Sequence, residues 1–243
     1  MLVRVGLFGR GRLGSAVLAV AARQPDIELV WSVDQGEQPT GPVDVAIDAS
    51  LAECVPEHLD WALKTGTDLV IGATGWEIPN LASQVEGRIG VLAASNFSLT
   101  VALMARFAEV LGRYAQGDAS KDPFLYESHH RLKADYPSGT AKTLAQALLR
   151  GCPRKTEWVL GTAQPHQLSM AVQRTGTEFG LHTVGIDTPT ETFTLTHHAR
   201  SREMFAEGAL TAARWIQGRK GLHGMNDLAA ALLDPLFAFG AKS

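Results

Sequence analysis

Cysteine, charge and aromatic residues are all scarce in this 243-residue chain. The two cysteines, Cys54 and Cys152, are too few for a disulfide framework and too far apart for a zinc cluster. They read as reduced core thiols, and no resident metal is expected. Charged residues make up only 19%, with a formal net charge of −3 and no basic surplus. That balance excludes the usual footprint of a nucleic-acid binder. Long hydrophobic runs are missing too. The stretches from Leu13 to Ala22 and from Leu228 to Ala241 are shorter than a bilayer span or broken by Asp234 and Pro235. No repeat or low-complexity tract is visible, and the N-terminus enters a strand-like run without a targeting pattern, so a cytoplasmic, membrane-free protein is expected. What is abundant is apolar residue (45%) and glycine (24 residues), a composition that buries a core rather than staying disordered.

Short apolar strands alternate with helical stretches through the first hundred residues: Val3 to Phe8, Ile27 to Val33, Val43 to Ala49, Asp68 to Gly72 and Gly90 to Ala94. Apolar strands separated by helices predict a parallel sheet covered on both faces. After Asn96 the pattern changes. Helices are predicted over 98–114 and 138–150, and strands over 124–127, 157–160, 167–174, 177–185 and 191–197. Thr192-Phe193-Thr194-Leu195-Thr196 alternates polar and apolar, as in an antiparallel sheet with one wet face. From about Ala206 onward helical spacing returns. The expected class is α/β: a Rossmann-type domain from residues 1–98 and 206–243, and an α+β domain with a mixed or antiparallel sheet from 99–205. The second sheet has a face to spare for an interface between copies.

Gly9-Arg10-Gly11-Arg12-Leu13-Gly14 fits G-x-G-x-x-G between the first strand and first helix, and Asp34 ends the second strand twenty residues after Gly14. The glycines permit a tight turn, close backbone approach to a pyrophosphate and close helix–strand packing, while the carboxylate suits a ribose hydroxyl. Gln35 rather than arginine follows Asp34, which favours NADH over NADPH, although Arg10 and Arg12 could approach a phosphate. Gly72-Ala73-Thr74 and Ala94-Ser95-Asn96-Phe97 follow later strands at their carboxyl ends, where ligands of open α/β sheets bind.

The stretch from Glu127 to Ala141, E-S-H-H-R-L-K-A-D-Y-P-S-G-T-A, sets His129, His130 and Lys133 ahead of a helix. The four-residue spacing of His129 and Lys133 would place both on one side of a helical turn. Ser138 is a candidate N-cap that leaves the Gly139 and Thr140 amides for a carboxylate. This stretch resembles the E-x-H-H-x-x-K-x-D-x-P-S-G-T-A signature of the 4-hydroxy-tetrahydrodipicolinate (dihydrodipicolinate) reductases. The likeness continues through Val70–Gly75, Asn96-Phe97-Ser98 and Thr196–Arg202.

The resemblance implies a homotetrameric enzyme that reduces a cyclic dicarboxylate with NADH or NADPH in the diaminopimelate route to lysine. It assigns His129 as general acid/base and Lys133 as proton donor, with His130, Gly139 and Thr140 on the substrate. The cofactor falls to Gly9–Gly14, Asp34, Gly72–Thr74 and Ala94–Phe97. The chain departs from the pattern in places. The family's loop usually reads G-x-x-G-R-M-G, one residue longer; Tyr136 replaces a small residue, and Leu51 stands where an arginine is frequent. A silent dinucleotide sensor and another two-domain amino-acid or aldehyde dehydrogenase are the competing readings.

Overall fold

The computed structural model describes residues 2–238, so the end of the apolar stretch beginning at Leu228 lies outside the described residues. In chain order the elements are β1 (Val3–Phe8), α1 (Arg12–Ala21), β2 (Ile27–Val33), β3 (Val45–Asp48), α2 (Val55–Thr65), β4 (Asp68–Ile71), α3 (Leu81–Val85) and β5 (Gly90–Ala93). Then follow α4 (Leu99–Gln116), β6 (Asp122–His129), α5 (Gly139–Gly151), β7 (Glu157–Leu160), β8 (Gln167–Arg174), β9 (Gly180–Asp187) and β10 (Thr192–Ala199). The chain ends with α6 (Glu203–Ile216), β11 (Gly221–Gly224) and α7 (Met225–Leu233). They divide into two compact units, Met1–Leu99 with Arg202–Ser243, and Thr100–Ser201. The second junction falls at 201/202 rather than at 205/206, because residues 203–205 already belong to α6.

The first unit holds a parallel six-stranded sheet in the order β11-β5-β4-β3-β1-β2. Its strands are apolar runs rather than alternations because both faces are covered. Val5, Leu7, Val45 and Ile47 pack under Val17 and Val20 of α1 and Ala209, Leu210 and Ala213 of α6. Ala46, Leu69, Ile71 and Val91 face Val55, Leu59 and Ala62 of α2 with Leu81 and Val85 of α3. The edge strand β11 escapes the sequence pattern, being four residues bounded by glycine whose strand character comes from pairing with β5.

In the second unit the sheet runs β10-β9-β6-β8-β7. It is mixed rather than antiparallel throughout: β9 pairs antiparallel with β6 and β10, whereas β8 runs parallel to β6 and β7. Helices α4 and α5 cover one face, packing Met104, Ala108, Leu144 and Leu148 on Leu125, Met170 and Val184. The register puts Phe124, Tyr126, Ala171, Leu181 and Thr183 on the other face, where none of them is fully buried.

Candidate active site

In the first unit β1 sits between β2 and β3, so consecutive connections leave β1 and β3 in opposite directions and open a crevice at the carboxyl edge of the sheet. The glycine loop lies on that edge. Gly9 has φ +86°, and a Cβ there would meet the Ala49 carbonyl at 2.7 Å. A Cβ on Gly14 would lie 1.9 Å from the Gly9 carbonyl oxygen. The protein's own packing therefore demands the first and third glycines. A Cβ on Gly11 would meet nothing within 4 Å, so the protein's own packing does not demand that glycine and its backbone is open to close approach. Gly11 is also the N-cap of α1, with no side-chain cap and no acid in the first turn, so the positive end of the helix is left for an anion. Asp34, Gly72–Thr74 and Ala94–Phe97 follow β2, β4 and β5 along this same edge. Gly11→Val should weaken binding of a nicotinamide dinucleotide by at least about tenfold, measured by titration; unchanged affinity would remove the pyrophosphate from this turn.

Two features of this edge escape sequence reading. Arg10 is engaged by the end of β2: its Nη2 lies 2.7 Å from both carboxylate oxygens of Glu37, and its Nε lies 3.8 Å from Asp34. At the end of β3 the buried Asp48 holds His58 Nδ1 at 2.8 Å and accepts from the Ser50 hydroxyl at 2.5 Å, while the His58 ring stacks on Phe8 at 3.8 Å. The Arg10–Glu37 and His58–Asp48 contacts join residues 27 and 10 apart in the chain, so no local spacing announces them.

In the second unit, the helix-covered face of the sheet turns polar at one end. Leu125 pairs across the sheet with Val184, and two residues on Glu127 pairs with His182, which pairs with His197. His129 and Arg174 are partnered on the same face. Glu127 is fully buried at the centre. Its Oε1 accepts from the Ser138 backbone N–H at 3.0 Å and from Arg174 Nη2 at 2.9 Å. Its Oε2 lies 3.4 Å from both His129 Nδ1 and His182 Nε2, within ion-pair range but without hydrogen-bond alignment. Burial opposes the charge on Glu127, but His182, Ser138 and Arg174 outweigh it and hold the carboxyl well below its ordinary range. Among the described residues, Glu127, His129 and His182 form a group whose potential metal-ligand atoms lie within 4.8 Å of one another. Arg174 already balances that carboxylate, so a cation entering there would face an arginine as well.

The signature loop hangs from this hub. Ser138 caps α5, its Oγ accepting from Ala141 N–H at 3.1 Å. Residues 130–137 form turns rather than a helix, so the helical juxtaposition of His129 and Lys133 does not exist; the Lys133 N–H bonds back to the His130 carbonyl at 3.1 Å instead. The helix starts at Gly139, directly after the Ser138 cap that the sequence predicts, and the Ser138 N–H is tied to Glu127. Lys133 Nζ sits 2.7 Å from one oxygen of Asp135, and the other oxygen accepts from Gly139 N–H at 3.3 Å. The amide expected to stand open thus already holds an acid. His129 is buried, and burial, followed by the charge of His182, pushes its pKa down to about 4, so the ring is neutral at pH 7. His130 is half-buried at the start of the turn, and Thr140 is half-buried in the first turn of α5. A cleft of about 510 Å³ opens beside residues 175–179 and 198–200, whose Thr175 N–H donates to the His129 carbonyl at 2.9 Å.

The family model for the C-terminal part of dihydrodipicolinate reductase matches residues 99–229, and that for the N-terminal part matches residues 37–97. The chain belongs to the dihydrodipicolinate reductase family. Curated 4-hydroxy-tetrahydrodipicolinate reductases from Caldanaerobacter subterraneus subsp. tengcongensis and Thiobacillus denitrificans are 32% and 34% identical to it, over 94% of this chain and 98% of each relative. A solved dipicolinate-bound dihydrodipicolinate reductase from Paenisporosarcina sp. TG-14 shares the fold at TM-score 0.74 and 23% identity, covering 93% of this chain and 99% of that one. A more distant fold likeness is to an amine dehydrogenase from Mycobacterium smegmatis, at TM-score 0.56 and 10% identity over 90% of this chain and 94% of that one. The N-terminal dihydrodipicolinate reductase match starts at residue 37, after the glycine loop that departs from the family pattern.

Proposed function

We propose that the chain reduces 4-hydroxy-tetrahydrodipicolinate to tetrahydrodipicolinate with NADH, in the route to diaminopimelate and lysine. The observation that carries this reading is the convergence of Lys133 Nζ and Gly139 N–H on one carboxylate group, that of Asp135. The ammonium and the helix-start amide are spaced to grip a carboxylate, and the substrate brings two. In our reading a substrate carboxylate takes the place of Asp135, with His130 and Thr140 completing its contacts. The substrate first loses its 4-hydroxyl as water together with a C3 proton, and Gly9–Gly14, Asp34, Gly72–Thr74 and Ala94–Phe97 would hold a nicotinamide dinucleotide that would supply a hydride to C4 of the resulting unsaturated ring. Lys133 delivers the proton at C3. His129, held neutral at pH 7 by burial and by His182, gains basicity beside a dianion and serves as its acid/base partner. Asp34 and Gln35 favour NADH, since a carboxylate repels a 2′-phosphate. The reaction draws on the cytoplasmic pool of reduced dinucleotide, and no described helix is long and apolar enough to cross a membrane.

Steady-state oxidation of NADH with freshly generated substrate tests the reading. A sensor would bind NADH and turn nothing over, and a different dehydrogenase would ignore this dicarboxylate. We assign the first unit, Met1–Leu99 with Arg202–Ser243, to the dinucleotide and the second, Thr100–Ser201, to the substrate and to assembly. Four copies would associate through the uncovered sheet face, where Phe124 lies over Gly185 and Thr183 bonds Thr196 at 2.9 Å. Light scattering should report a tetramer; a stable monomer at micromolar concentration would exclude that assembly.

A further inference from the structure

We propose that Glu37 is the residue that denies this enzyme NADPH, by occupying the arginine that would otherwise receive the 2′-phosphate. The inference rests on the dinucleotide site assigned above and goes past it, since Asp34 alone leaves Arg10 open to a phosphate. At the end of β2 the chain turns back through Asp34, Gln35, Gly36 and Glu37, with the Glu37 N–H bonded to the Asp34 carbonyl at 2.9 Å and Gly36 at φ +85°. The turn brings the Glu37 side chain back over the strand end. There one oxygen accepts from the Asp34 N–H at 2.9 Å while both face Arg10 Nη2 at 2.7 Å. The remaining guanidinium nitrogens are drawn to the same place, Nε toward Asp34 at 3.8 Å and Nη1 to the Ser32 carbonyl at 3.4 Å.

A ribose carrying a free 2′-hydroxyl loses nothing by this arrangement, because Asp34 still offers an acceptor. A 2′-phosphate would meet two carboxylates against one guanidinium whose nitrogens already have partners. An arginine in this part of a dinucleotide fold is the group that accommodates that phosphate. Here it is held by a second acid that no spacing rule connects to the glycine loop. The three side chains are all substantially solvent-exposed, so the discrimination should weaken as salt screens it.

Titration of the whole enzyme with NADH and NADPH, without the second substrate, separates this from the question of catalysis. Glu37→Gln keeps an acceptor for the Asp34 N–H and removes the charge. It should raise NADPH affinity by about tenfold while NADH changes by less than about twofold. Adding Arg10→Ala to that variant should abolish the gain, and Arg10→Ala alone should leave the preference for NADH in place. An unchanged ratio of the two affinities in Glu37→Gln, or a gain that survives loss of Arg10, would overturn the assignment while leaving the dinucleotide site intact. A wild-type chain that binds neither dinucleotide would overturn both.

Discussion

Replacing Lys133 with alanine should lower kcat by about 10²–10⁴-fold while NADH affinity stays near that of the parent. The ring gains negative charge as hydride arrives, and an ammonium beside it stabilises that charge more in the transition state than in the ground state. Lys133 is partly exposed and is steadied at 2.7 Å by Asp135, so its side chain carries little of the fold and its loss should read in turnover rather than in melting. His129→Ala should reduce kcat by a similar order. The two variants separate in pH. With Lys133 present, the His129 ring is neutral above about pH 4 in the free enzyme, so kcat/KM should not follow an ordinary imidazole titration near neutrality. A Lys133→Ala enzyme retaining most of its kcat would mean that the signature loop only shapes the surface.

The first unit of this protein is legible in its sequence because its signals are local. Gly9, Gly11, Gly14 and Asp34 sit at fixed offsets from strand ends, and the strand ends show as breaks in apolar runs. Strands β7 and β8 fall where alternation predicts, at 157–160 and 167–174. Strand β9 does not. It begins at Gly180 rather than Thr177, because residues 175–179 form a turn with Gly176 at φ +50°, and it continues to Asp187 through pairing with β6. The second unit is legible only along the chain. His129, Lys133 and Gly139 stand within eleven residues, but their environment comes from Arg174 and His182, some fifty residues away and delivered by strand register. The helical placement of Lys133 fails too. Ser138 caps α5 where the sequence places it, but residues 130–137 ahead of it form turns, so no helical turn carries His129 and Lys133 together. Glu37 is hidden likewise, twenty-seven residues from the arginine it engages.

Glu127→Ala should be the most destabilising single change in the second unit. Glu127 is fully buried, yet it is the shared acceptor of the Ser138 N–H at 3.0 Å and the Arg174 guanidinium at 2.9 Å, and both histidines crowd its other oxygen. Removing it leaves a nearly buried guanidinium facing two histidines and strips the acceptor from the residue that caps α5. Breaking one partner from a buried pair costs about 3–5 kcal/mol. For a chain of this size that corresponds to a melting point lower by about 10 °C. Glu127→Gln keeps an acceptor for the Ser138 N–H and should lose less.

Acid distinguishes the charge from the packing. The Glu127 carboxyl is held below its ordinary value of 4.5 in the folded chain, so the unfolded chain takes up the proton first as pH falls through that value. The stability due to the carboxylate is therefore complete above pH 4.5 and drains away below it. His129 behaves in the same direction over a higher window: its unfolded ring protonates near 6.5 and its folded ring only near 4, so stability declines as pH drops between those values. The parent and Glu127→Gln share the His129 decline from pH 6.5 to 4.5, and the gap between them should close only below 4.5. Denaturant melts at pH 7.5, 5.5 and 3.5 read this directly. A gap that stays constant to the lowest pH would show that Glu127 acts through its shape and not through its charge.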